Sequence, residues 1–120
     1  SGGMRQRIAL IRTYLFSKDV SLLDEPFSAL DAITKDEMHE WYMDMRKKYN
    51  MSTIFITHDV DEALILSDRI YILGNGNIKS EIKIKAKNRD NSFKLSQEFL
   101  DYKKEVLKNL ENSNKIIAEK

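Results

Sequence analysis

A chain of 120 residues and 14.1 kDa fits a single hydrophobic core, and its 42% hydrophobic and 32% charged residues exclude wholesale disorder. The longest apolar runs, such as Ile8 to Ile11 and Ala63 to Leu66, are too short to cross a bilayer and no secretion signal is expected; the lack of cysteine removes disulfides, thiolate metal sites and a thiol nucleophile. The net charge of +1 hides an asymmetry: residues 1–76 carry 9 Lys/Arg against 12 Asp/Glu, and residues 77–120 carry 11 against 7. That balance argues against a nucleic-acid partner, and the basic last third reads as a solvated, lysine-studded helix face.

Ser1-Gly2-Gly3 leads into a segment whose apolar residues Met4, Ile8, Ile11 and Leu15 recur at helical spacing, which predicts a helix with that face inward. Val20 to Leu23 reads as a short buried strand, ended by Asp24-Glu25-Pro26. After a loop from Phe27 to Asp31, the positions Thr34, Met38, Trp41, Tyr42, Met45 and Tyr49 follow a period near 3.6 and predict a long amphipathic helix stopping at Asn50. Ser52 to Ile56 is rich in β-branched and aromatic residues and predicts a second strand. Thr57-His58-Asp59 then precedes a short helix from Asp61 to about Ser67 and a third strand, Arg69 to Leu73. Gly74-Asn75-Gly76 is a turn signal, so Asn77 to about Lys85 returns as an antiparallel partner. Residues 86–94 read as a polar linker. Ser96 to about Asn112 reads as a surface helix with Phe99, Leu100, Val106, Leu107 and Leu110 inward, and the final residues are expected to fray. Strands alternating with helices imply βαβ units and a parallel sheet, whose ligands collect at the C-terminal strand edges, where Asp24, Glu25 and His58 fall.

Each candidate residue has two readings when taken singly. Ser-Gly-Gly is an ordinary helix cap, or a set of unpaired backbone N–H groups and a hydroxyl aimed at phosphate. Asp24-Glu25 is a solvated strand end, or the carboxylate pair of a magnesium-dependent phosphoryl-transfer site. His58 is a loop histidine or a catalytic one, and Asp31 is a helix cap or an interface residue.

Their order separates these readings. Ser-Gly-Gly-Met-Arg-Gln-Arg, then Leu-Leu-Asp-Glu-Pro, then Ser28-Ala29-Leu30-Asp31, then Ile-Thr-His-Asp together resemble the ATP-binding-cassette (ABC) ATPases over residues 1 to about 85. The fold this resemblance implies is α/β, the C-terminal part of a P-loop NTPase (RecA-like) nucleotide-binding domain with parallel strands, a terminal β-hairpin and a C-terminal helix. The implied division is 1–85 as the half domain, 86–94 as linker and 95–120 as C-terminal helix and tail. By the same resemblance, Ser1, Gly2, Gly3 and Met4 form the signature motif that meets ATP, and Asp24 holds Mg2+ through water. Glu25 polarises the hydrolytic water, His58 contacts the γ-phosphate, and Asp31 of the D-loop serves a dimer contact.

Met4 stands where the family carries glutamine. No Gly-Lys-Ser/Thr occurs, since the only glycines are Gly2, Gly3, Gly74 and Gly76, so the expectation is a chain without its own phosphate-cradling loop. Arg12 to Phe16, Phe27 to Ala32 and Thr57 to Ala63 most resemble the nitrate, sulfonate, taurine and thiamine-precursor importers. The expected partners are a second nucleotide-binding subunit, transmembrane permease subunits and, indirectly, an extracytoplasmic solute-binding protein. The expected place is the inner face of the cell membrane. The alternatives are a truncated interaction module that hydrolyses nothing and a DNA-repair or chromosome-maintenance ATPase lobe. The absence of a preceding coiled coil and the residues after His58 weigh against the latter.

Overall fold

The computed structural model describes residues 2–16, 20–111 and 115–119. The chain divides into two compact units, Ser1–Phe55 and Ile56–Lys120.

The first unit holds α1 (Gly2–Phe16), β1 (Ser21–Asp24), α2 (Ala32–Tyr49) and the start of β2 (Thr53–Thr57). β1 lies beside β2, and the Ser21 amide donates to the Ser52 carbonyl at 3.0 Å. The two strands therefore begin at the same end and run parallel across the α2 crossover, a βαβ unit. α2 is fixed at both ends. Asp31 caps its N-terminus; at its C-terminus Asn50 takes the left-handed conformation at φ 49° and returns its N–H to Arg46. Arg46, Lys47 and Lys48 in the last turn match the negative end of the helix dipole. Met38, His39 and Tyr42 are buried on α2, and the Phe27 ring stands edge-on to His39 at 5.0 Å and to Tyr42 at 6.0 Å. Tyr49, predicted on the inner face of α2, is exposed in the last turn.

α1 turns a different face inward from the one its spacing predicts. Met4, Ile8, Ile11 and Leu15 are 55%, 51%, 38% and 72% exposed, while Gly3 and Leu10 are buried. Arg5, Gln6, Arg7, Arg12 and Thr13 are interspersed among its apolar residues and leave the helix only weakly amphipathic, so its periodicity alone does not choose a face. Gly3 faces α2 at close range, where an added Cβ would sit 3.2 Å from Thr34 Cγ2 and could fit only if that side chain gave way by a few tenths of an ångström. β1 also departs from expectation, because Val20 and Leu22 are exposed rather than buried.

The second unit continues from β2 into α3 (Val60–Leu66), β3 (Arg69–Gly74), β4 (Asn77–Lys83), α4 (Asn91–Lys94), α5 (Gln97–Leu110) and β5 (Lys115–Glu119). β3 and β4 form the predicted antiparallel hairpin, closed by Asn75 at φ 52° and Gly76 at φ 79°. Two successive positive φ angles give the tight turn whose twist suits flanking strands. Its core gathers Ala63 to Leu66, Ile70, Ile72, Ile82, Ile84, Phe93, Phe99 and Val106.

Three expectations change here. Residues 115–119 do not fray: β5 pairs antiparallel with the other side of β3, from Arg69 opposite Glu119 to Leu73 opposite Lys115. Residues 91–94, read as linker, form a helix capped by Asp90, with Phe93 buried and edge-on to Phe99 at 5.3 Å. On α5, Leu100 and Leu107 are exposed, because the buried stripe runs through Phe99 and Val106, seven residues apart. Among the described residues, no helix is long and apolar enough to cross a membrane.

Candidate functional site

Asp24 closes β1 and is exposed at its C-terminal edge. Glu25 follows with φ 47°, a left-handed conformation that glutamate rarely adopts and that costs about 1–2 kcal/mol. The next residues enforce it. Pro26 fixes the start of a turn, the Glu25 carbonyl accepts from the Ser28 amide at 3.3 Å and the Ser28 hydroxyl at 3.1 Å, and Phe27 is buried as the anchor. A strained backbone held by a buried ring and a proline, at the edge where parallel strands collect ligands, is the pattern of a functional bend.

A cavity of about 600 Å³ opens beside α1, lined by Gly2, Gly3, Met4 and Arg7, by Ala29 to Asp31, and by Thr34, Glu37 and Met38. Four sequence-predicted residues, Gly2, Gly3, Met4 and Asp31, thus meet at one place. Asp24 and Glu25 do not line it, and Ser1 lies outside the described residues. Asp31 accepts from the Thr34 amide at 2.7 Å. That backbone hydrogen bond, with a further one from the Thr34 hydroxyl, holds its carboxyl below the usual range.

Glu37 is a lining residue that sequence reasoning missed, and Arg7, within the first motif, and Thr34, on the periodic stripe of α2, line the cavity without having been assigned a site role. Arg7 Nε is buried without a hydrogen-bond partner, and the guanidinium lies 5.7 Å from the Trp41 ring centroid. The available signal was helical spacing: Arg7 stands one turn past Gly3, and Met38 one turn past Thr34.

His58 belongs to the second unit, exposed between the end of β2 and the start of α3. Thr57 before it is buried, and Asp59 after it caps α3 by accepting from the Glu62 amide at 3.1 Å. The Thr57 hydroxyl accepts from the Asp59 amide at 3.0 Å and lies 2.9 Å from Glu62 Oε1, to which it donates.

Among the described residues no group of three or more His, Asp or Glu gathers as a metal cage. That composition still fits Mg2+, which keeps most of its waters and takes one or two carboxylates plus substrate phosphates. Asp24, a hard oxygen donor open to solvent, is suited to that part.

No protein-family model matches the chain. Among curated proteins it is similar to the formylaminopyrimidine import ATP-binding protein ThiZ of Halalkalibacterium halodurans, 51% identical over 75 residues, 62% of this chain and 30% of that protein. It is similar to the nitrate import ATP-binding protein NrtD of Synechocystis, 41% identical over 115 residues, 88% of this chain and 43% of that protein. The aliphatic sulfonates import ATP-binding protein SsuB 1 of Shouchella clausii is 39% identical over 109 residues, 89% of this chain and 42% of that protein. The chain thus spans less than half the length of the relatives it matches.

Proposed function

We propose that this chain, which groups with the ATP-binding subunits of ABC importers, is the part of such a subunit that carries the water-activating carboxylate, the signature turn and the switch histidine. The complete subunit would hydrolyse ATP to drive solute import. The observation that carries this reading is the strained Glu25 directly after Asp24 at the C-terminal edge of β1.

In this reading the domain is of the P-loop NTPase class. Mg2+, held through water by Asp24, would supply charge neutralisation on the β- and γ-phosphates. Glu25 would orient the attacking water and accept its proton as the new P–O bond forms and the bond to ADP breaks. His58, exposed at the end of β2, would donate to the γ-phosphate. Gly2, Gly3 and Met4 at the start of α1, with Ser1 preceding them in the sequence, would offer backbone N–H groups and the positive end of the helix dipole to a nucleotide. Asp31, beside them at the cavity, would serve the contact with a second ATP-binding subunit. Permease subunits would receive the motion, at the inner face of the membrane. The solute would be chosen by the permease and a solute-binding protein, not by this chain.

The test is Glu25→Gln in a complete subunit. Glutamine matches the shape but does not take the water's proton, so ATP binding persists while hydrolysis falls by at least a hundredfold. Retained turnover would overturn the assignment of Glu25. The 120-residue chain by itself, which has no Gly-Lys-Ser/Thr, is expected to hydrolyse ATP only at background rate.

A further inference from the structure

Glu62 presents an oddity that no step above uses. It is a carboxylate only 3% exposed, on the first turn of a helix that Asp59 already caps. A buried carboxylate needs good partners to be tolerated. In the usual capping box the glutamate three residues past the cap reaches back directly to the cap's own N–H. Here the reach is relayed. The Asp59 amide donates to Thr57 Oγ1 at 3.0 Å, and the Thr57 hydroxyl donates to Glu62 Oε1 at 2.9 Å. The Glu62 amide in turn donates to Asp59 Oδ1 at 3.1 Å.

The closed circuit ties Thr57, Asp59 and Glu62 to one another. His58 is the residue between Thr57 and Asp59, and both of its neighbours are tied to Glu62, while its own side chain is exposed. An apolar residue at position 62 would leave the Asp59 cap intact without desolvating a carboxylate, so starting the helix does not account for Glu62. Holding the backbone on both sides of an exposed imidazole does.

We propose that Glu62 is a positioning residue for His58, acting through the Thr57 hydroxyl to present the imidazole in one orientation. This rests on the reading of His58 as the γ-phosphate contact. The relay ties down Thr57 and Asp59 before nucleotide arrives, so no ordering of that turn is left for the reaction step.

The experiment has two arms. In the 120-residue chain, backbone 15N relaxation is measured at His58 and Asp59 for Glu62→Ala and Thr57→Val, with Ile70 and Ile72 amides as internal controls. Both variants should drop the His58 order parameter from a rigid value near 0.85 to below about 0.6, leaving the controls unchanged. Thr57→Ser and Glu62→Gln, which keep the hydroxyl and an acceptor oxygen, should restore it. In a complete subunit carrying this chain, Glu62→Ala should lower kcat at least tenfold with KM for MgATP unchanged, and Thr57→Ser should retain kcat. A His58 that stays rigid in both disruptive variants overturns the proposal, as does global loss of fold in both, which would make the role purely structural. If His58→Ala leaves kcat unaltered, the reading of His58 falls instead, and the relaxation arm still judges the positioning by itself.

Discussion

Arg89 Nη1 donates to the carbonyl oxygen of Ser67 at 2.7 Å, across 22 residues of sequence. The same nitrogen reaches Leu64 O at 3.0 Å, Nε reaches Ala86 O at 2.7 Å and Nη2 reaches Ile84 O at 3.2 Å. One guanidinium thus ties the last turn of α3 to the segment leaving β4. Its side chain is 8% exposed, lies 3.7 Å from the Asp68 carboxylate and stacks toward Phe93 at 5.7 Å.

A planar fork with five donors suits this set of carbonyls, and an ammonium does not. Arg89→Lys should therefore cost about 3 kcal/mol, the scale of losing one to two charge-assisted hydrogen bonds. Urea unfolding reads it as a lower midpoint with an unchanged slope. A midpoint equal to that of the parent chain would mean that water replaces the guanidinium freely.

Asp31 makes acid sensitivity specific to one end of α2. Its carboxyl is held below the ordinary value by the Thr34 amide, so the folded state binds this proton less readily than the unfolded chain. The stabilisation is in full force above the ordinary aspartate range and is lost as pH falls through the lowered folded value. Asp31→Asn keeps an N-cap acceptor but has nothing to titrate. Its melting temperature should fall less steeply than the parent's below the ordinary aspartate range, while the two differ little at neutral pH. Parallel acid profiles would refute the link.

The bend at Glu25 implies a trade between stability and activity. Asparagine tolerates the left-handed region better than glutamate, so Glu25→Asn should raise unfolding stability by up to about 1 kcal/mol. The same change should abolish hydrolysis in a complete subunit. A lower urea midpoint for Glu25→Asn would show that the carboxylate contributes more to the fold than the backbone loses.

The exposed stripe on α1 should bind apolar dyes. Ile8→Glu combined with Leu15→Lys is expected to remove most dye fluorescence with stability within about 0.5 kcal/mol, as for surface positions. A loss of several kcal/mol would place this face in the core after all.

Much of the local order was legible because its causes are local. The β1–α2–β2 unit shows in the change of hydrophobic period, the hairpin in Asn75-Gly76, and the α2 start in Asp31. Long-range causes left weaker marks. The inward face of α1 includes the close approach of Gly3 to Thr34, which no periodicity records. β5 has five residues without apolar alternation and exists through its pairing with a strand more than forty residues earlier. Arg89 sits in a polar stretch, and composition does not tell a solvated arginine from one buried against four carbonyls. In the candidate site, Gly2, Gly3, Met4 and Asp31 were legible only as an ordered set of motifs. Thr34 and Glu37 belong to no motif, and Arg7 closes the first motif without a role assigned to it; all three became visible as lining residues once two helices shared a cavity wall.

The pairing of β3 on both sides also governs how the second unit breathes. Ile70 and Ile72 sit in a strand bonded to β4 along one edge and to β5 along the other, so exchanging their amides with solvent requires a neighbour to detach. Shortening the chain after Leu110 would strip one of these guards. β3 would then offer a bare row of amides and carbonyls beside isoleucine, a template for any passing strand. Clear solutions of the 120-residue chain, set against turbid ones of the shortened form at equal concentration, would register the tail as a built-in shield against sticking.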